Sequence, residues 1–225
     1  MATPDSLRCF ARTTTSAPRQ HWFADWQSCY PGTLSLTSVQ QEAFAHLVPL
    51  LLCGEQSAQQ VFSHIAECQG DSHRRVLATI EREEHVHELA LQWVLSDIGN
   101  PGDLHRRKRR AQRFYASLGR AQDAGGHFAN IEQIDSGVCR IMHAIAHSDL
   151  GRHHPLTQLF EAIKRDVANH VGVSRRCARE LGADRAQERD VALRLVTFLT
   201  PDAHHFEAIG VCPDRLFHRL AGASS

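Results

Sequence analysis

Between residues 36 and 181 the apolar positions recur every three or four residues, the spacing of a helical face, and they fall into four long stripes. The first is Leu47, Leu51, Glu55, Ala58, Phe62 and Ile65. It predicts a long helix that runs to about Cys68, with N-cap candidates in Ser35 to Ser38 and Glu42 four residues past Ser38. Pro49 falls inside it and predicts a kink or a late start. The second stripe is Leu77, Ile80, Glu84, His87, Leu91, Val94 and Ile98. Its helix follows the break at Gly70-Asp71-Ser72, where Asp71 or Ser72 supplies the cap, and stops at the turn Gly99-Asn100-Pro101-Gly102. The third stripe, Ile131, Asp135, Val138, Met142 and Ile145, predicts a helix from Asn130 to about His147, after a break at Ala124-Gly125-Gly126. A loop over residues 148–155 leads into the fourth, with Pro155 in its first turn and Leu159, Ile163, Asp166, His170, Val173 and Cys177 on one face.

The flanks read differently. Residues 1–35 form an irregular segment punctuated by Pro, Thr, Ser and Gly, whose Trp22, Phe23, Trp26 and Tyr30 pack on the helices. Residues 36–225 form a single helical domain, with a crossover at about 100–130 between two helical hairpins. An amphipathic segment from Ala183 to Leu199, and a tail containing His204, His205 and Phe206, cover the bundle.

Each stripe is interrupted near its middle by a group that does not belong in an apolar seam. A carboxylate there costs several kcal/mol to bury unless its charge is paired. Glu84 and His87 share the second stripe at i, i+3; Asp166 and His170 share the fourth at i, i+4. Glu55 interrupts the first, unless the stripe slips onto Gly54 and leaves the acid on a flank. On the third, Asp135 is mid-stripe, but Glu132, Cys139 and His143 form an adjacent polar strip, so either Glu132 or Asp135 is the inward acid. The separations from Glu55 to Glu84 and from Asp135 to Asp166 are 29 and 31 residues, so two antiparallel hairpins bring all four acids to one level. Glu-x-x-His projecting inward from a bundle helix is how carboxylate-bridged di-metal sites are built. Carboxylates and imidazoles without thiolates favour iron or manganese over copper(I) or structural zinc. Glu83, Glu88, Asn169 and Glu161 are candidates to orient the histidines, and Met142 and Val167 to line a pocket beside them.

Composition removes competing classes. Formal net charge is zero with His neutral, so no overall field draws the chain to nucleic acid or an anionic membrane. The basic run HRRKRRAQR, His105 to Arg113, reads as a solvated crossover helix, since no aromatic stacking pattern accompanies it. Seven widely spaced cysteines, an odd number with no CxxC, fit neither a zinc ribbon nor a disulfide framework and predict reduced thiols. There is no apolar leader-like stretch at the start and no run of membrane-span length, which predicts a cytoplasmic protein without a membrane partner. Of the 16 histidines, the pairs His153-His154 and His204-His205 read as solvated loop residues.

The segment IEREEHVHELALQWVL resembles the Glu-x-x-His helix of ferritin-like di-iron carboxylate proteins, and IKRDVANHVGV resembles its second copy. The resemblance covers roughly Leu36 to Leu181 and implies an all-α fold with a four-helix core bundle and additional covering helices. It implies Glu55 as a terminal carboxylate, Glu84 as the bridge, and His87 and His170 as one ligand to each iron. The second copy departs from the pattern, because Val167 stands where the family has Glu, three residues before His170. Asp166, one residue earlier, matches instead the Asp-x-x-x-His of the last helix in haem-oxygenase-like di-iron oxidases. Either bundle implies two iron ions, or an iron–manganese pair, with O2 as co-substrate. The implied function is a non-haem di-iron oxygenase or oxidase acting on a small organic molecule, such as an amine or amino acid. An electron-donor protein and a second copy of the chain are compatible partners. The alternative left open by Val167 is a metal-binding or degenerate bundle without catalysis, working through iron handling or protein partners.

Overall fold

The computed structural model describes residues 22–68, 71–119, 123–183 and 188–222, and all regular structure within them is helical. The expectations for residues 1–21, and for a capping side chain at Asp71 or Ser72, fall outside the described residues. In chain order the helices are α1 (Trp22–Cys29), α2 (Ser38–Cys68), α3 (Asp71–Ile98), α4 (Leu104–Leu118), α5 (Ala124–Ala146), α6 (Pro155–Glu180), α7 (Glu188–Leu199), α8 (Ala203–Ala208) and α9 (Pro213–Leu220). A 3-10 turn, Thr200–Asp202, links α7 to α8. Among the described residues no helix is long and apolar enough to cross a membrane.

Helix ends follow local chemistry. At the start of α2, Thr37 Oγ1 accepts from the Gln40 amide at 3.2 Å while Gln40 Oε1 accepts from the Thr37 amide at 3.1 Å. That reciprocal pair satisfies two amides left over at the helix start, and the partner is Gln40 rather than Glu42. The helix carries Pro49 inside it and begins at Ser38, so the late start is not seen. α3 ends where Gly99 takes a positive φ of 87° and donates to Leu95 O at 2.9 Å. α5 begins at Ala124, six residues before the expected start, because Asp123 caps it by accepting from the Gly126 amide at 2.6 Å. The two glycines are therefore in its first turn. Gly125 is buried there against Leu181 and Ala183, just past the end of α6.

The short connections make α2–α3 and α5–α6 antiparallel hairpins. α4 and α8 pack on α2, α7 and α9 on α5, and α1 on α6. Residues 22–29, expected to be irregular, are helical because Trp22 and Trp26 are one turn apart and both buried. Trp26 Nε1 donates to Pro155 O at 3.1 Å, and its ring meets Trp93 edge-on at 5.0 Å.

The buried apolar residues form two clusters. The larger holds Leu51, Leu91, Val94, Val138, Met142, Ile163 and Val167; the smaller holds Phe62, Ile65, Leu77, Ile80, Phe128, Ile131 and Cys177. On the first three long helices the unexpected acids and histidines fall between each helix's contributions to the two, and on α6 His170 does so while Asp166 adjoins Val167 at the edge of the larger cluster. The fold thus places a polar belt between the two apolar clusters.

Candidate metal centre

Each of the four long helices supplies a side chain to this belt: Glu55 from α2, Glu83, Glu84 and His87 from α3, Asp135 from α5, and Asp166 and His170 from α6. All seven are buried, His87 and His170 with no exposed surface. His87 Nδ1 lies 3.1 Å from Glu55 Oε2 and 3.6 Å from Glu84 Oε2, and its Nε2 lies 3.4 Å from Asp166 Oδ2. His170 Nε2 lies 2.8 Å from Glu83 Oε2. Its Nδ1 is 2.8 Å from Glu84 Oε1, near enough for an ion pair but not aligned for a hydrogen bond. Glu84 therefore sits between the two imidazoles. Asp135 Oδ2 is buried with no hydrogen-bond partner among the described residues.

The electrostatics follow from crowding. Burial and the charge of Glu84 push Glu55 well above the usual carboxylate range, and the same two causes push Asp135 up. Burial would raise Glu84 too, but its contacts with Glu55, His170 and His87 hold it low. Burial would lower both histidines; Glu55 raises His87 instead, and Glu83 and Glu84 raise His170 to about 10. Protons are thus shared among acids too close to ionise together. No Lys or Arg is paired with any of the five carboxylates among the described residues. Five carboxylates share the belt with two imidazoles, so its acids outnumber its own bases.

Of the two acids left open on α5, Asp135 faces the belt, whereas Glu132 accepts from Arg175 Nε at 2.6 Å. Among the four orienting candidates only Glu83 touches a belt histidine. Glu88 accepts from Gln56 at 2.7 Å and Gln59 at 2.9 Å, Asn169 donates to Arg165 O, and Glu161 pairs with Lys164. Two participants escaped the sequence reading. Trp22 Nε1 donates to Asp166 Oδ2 at 3.0 Å, from a segment too short for a periodic signal. Tyr115 is buried with its hydroxyl donating to Leu50 O at 3.4 Å. Its signal was available: Ala111, Tyr115 and Leu118 make a short apolar stripe on the basic crossover helix.

A narrow cavity of about 60 Å³ lies against the belt. Glu55, Glu84, Asp135 and Val167 line one part, and Leu51, Ala58, Val61, Ile134 and Val138 make its walls largely apolar. Tyr115 also lines it, with its hydroxyl pressed on α2 where a Cβ at Gly54 would lie only 2.8 Å away. Val167 is thus at the wall as expected; Met142, two turns along α5 from Asp135, is buried in the larger apolar cluster instead.

Compared with protein-family models, curated proteins and solved structures, the chain gives no match in any of the three. The chemistry of the belt therefore stands on its own residues. Glu55, Glu84 and His87 present ligand atoms that all lie within 4.8 Å of one another, so they could hold a metal ion. The donor set fits one: hard carboxylates, imidazoles, a charge deficit and an orphaned carboxylate oxygen. Two divalent ions with neutral imidazoles would bring the five carboxylates to within a single charge of neutrality.

Proposed function

We propose that this protein is a non-haem di-iron oxidoreductase of the oxygenase or oxidase type, acting with O2 on a small organic molecule. The observation that carries the reading is the buried belt of five carboxylates and two histidines without a paired Lys or Arg among the described residues. Such a belt is stable only if something positive neutralises it. Glu55, Glu84 and His87 would hold one iron; Asp135, Asp166 and His170, which do not converge as those three do, would supply donors to the other, with Glu84 shared. Iron is favoured over zinc because the donors are mostly oxygen, and an iron–manganese pair suits the same set. When bound, a ferrous pair supplies electrons for O2 reduction. The spacing of the same residues, which resembles that of ferritin-like and haem-oxygenase-like di-iron proteins, agrees with this reading.

The protein's own residues supply the rest. Trp22 holds Asp166 by its Oδ2, which fixes the carboxylate from outside the four long helices. Glu83 covers His170 Nε2 from α3, and so puts a carboxylate beside this histidine on the half where Val167 lacks one. The cavity walls bind an apolar part of the substrate and keep water from the reacting atoms. The largely apolar walls favour a largely apolar substrate.

The test is anaerobic Fe(II) loading of wild type, Glu84→Ala and Asp166→Ala, followed by optical spectra after O2 addition. Two irons per chain in wild type, fewer in both variants, and a transient visible band that decays faster with a turned-over substrate are expected. No specific iron in folded wild-type protein would sink the reading and leave a scaffold bundle.

A further inference from the structure

Outside the belt, one other group of side chains on the described surface converges on a common point. His143 and His147 are at i, i+4 near the end of α5, both exposed, with ring centroids 4.2 Å apart. Glu161, from the second turn of α6, points at the same place, and one ligand atom from each of the three lies within 4.8 Å of the others. Helical spacing of four puts two imidazoles on one face at chelating distance. The third donor comes from the neighbouring helix, so the group is tertiary rather than local.

The tautomer is also set. His147 Nδ1 lies 2.8 Å from His143 O. A carbonyl only accepts, so Nδ1 carries the proton and the Nε2 lone pair of His147 is free. A backbone carbonyl holding the far nitrogen is how metal-ligating histidines are oriented.

We propose that His143, His147 and Glu161 form a second, surface metal site for a borderline divalent transition-metal ion such as Zn2+ or Ni2+. The surroundings decide the class of ion. Arg140 and Arg219 lie in the groove beside the histidines, with Arg140 donating to Arg219 O at 2.7 Å, and Lys164 sits on Glu161 at 2.6 Å. Those charges repel a cation held by electrostatics alone, such as Mg2+ or Ca2+. Only an ion that binds imidazole nitrogen strongly competes with them. Binding must also displace Lys164 from Glu161, so the lysine acts as a built-in competitor. Three protein donors leave coordination positions for water. An occupied site would tie the end of α5 to the start of α6, bracing the hairpin that carries Asp135, Asp166 and His170.

The site is independent of the iron reading and is tested separately from it. Untagged protein is titrated with Zn2+ by calorimetry as wild type, His143→Ala/His147→Ala, Glu161→Gln and Lys164→Ala, all in a Glu84→Ala background that removes the shared belt ligand. All four positions are exposed or half-buried, and circular dichroism verifies the fold. One zinc is expected in the Glu84→Ala parent and is lost in the double-histidine variant. Glu161→Gln weakens it at least tenfold, and Lys164→Ala tightens it severalfold. Unchanged stoichiometry and affinity in the double-histidine variant would overturn the site. Affinity indifferent to both Glu161→Gln and Lys164→Ala would overturn the three-donor assignment and reduce the group to a chance histidine pair.

Discussion

Two ionic clusters among the described residues are built on opposite principles. Beneath the crossover helix, Asp202 is buried to 1% exposure. It accepts from Arg107 Nη1 at 2.5 Å and is also paired with Arg110. Arg107 in turn donates through Nε to Asp103 Oδ1 at 2.8 Å and through Nη2 toward His205 Nε2 at 3.4 Å. Every charge there has a partner of opposite sign. The belt between the long hairpins has acids in excess and no guanidinium paired with them among the described residues. The first arrangement fastens α4 to the turn before α8 and asks for nothing more. The second holds acids in excess, an excess that protons on Glu55 and Asp135 relieve and that a bound cation could relieve as well.

The largest expected break in this contrast is on the belt. Glu84→Ala removes the carboxylate that lies between both histidines, so bound iron should fall from two per chain to below one, by elemental analysis after anaerobic loading. In the balanced cluster, Asp202→Ala strands two arginines side by side. It should cost about 3 kcal/mol in urea unfolding while leaving iron stoichiometry unchanged. Asp135→Val should do the reverse. Removing a buried carboxylate with an unbonded oxygen stabilises the metal-free protein by about 1–2 kcal/mol but lowers iron binding. A variant that lost stability without metal present would place Asp135 with the structural group instead.

The smallest effect concerns protonation. Burial, with the positive charges of His204, His46 and Arg107, holds His205 down to about 4. Its ring stacks on His46 at 4.3 Å, where a solvated loop residue was expected. Between that value and the ordinary value of 6.5 the unfolded chain binds more protons than the folded one, so stability rises with pH across this window. This contribution is complete above about pH 6.5 and is lost as pH falls toward 4. Urea midpoints measured through that range should show a shallower slope for His205→Phe than for wild type.

Periodicity carried the long helices well because each has a continuous apolar stripe to report. All seven positions of the α3 stripe, from Leu77 to Ile98, are buried. The start of α5 lies earlier than its stripe predicts, because Gly-Gly ordinarily breaks helices whereas here Asp123 caps the first turn. Asp135 could be separated from Glu132 only when Arg175 was seen to take the latter, a contact 43 residues away in sequence. Glu83 was one of four equal candidates for the same reason: His170 lies 87 residues further on. Trp22 and its bond to Asp166 span 144 residues and follow no local rule. Stripe position reveals that a polar group is buried; which partner it meets depends on how the hairpins dock.

The bond from Trp22 to Asp166 gives the protein an optical gauge of its own interior. Trp22 lies with its ring centroid 6.2 Å from that of His87, and Trp26 and Trp93 meet a turn away, so all three tryptophans of the chain gather at one end of the belt. Their emission reports on the belt without any added label. Iron entering the belt should quench it, and a chelator should restore it. Loading of the centre can therefore be followed in real time, in dilute protein, by light alone.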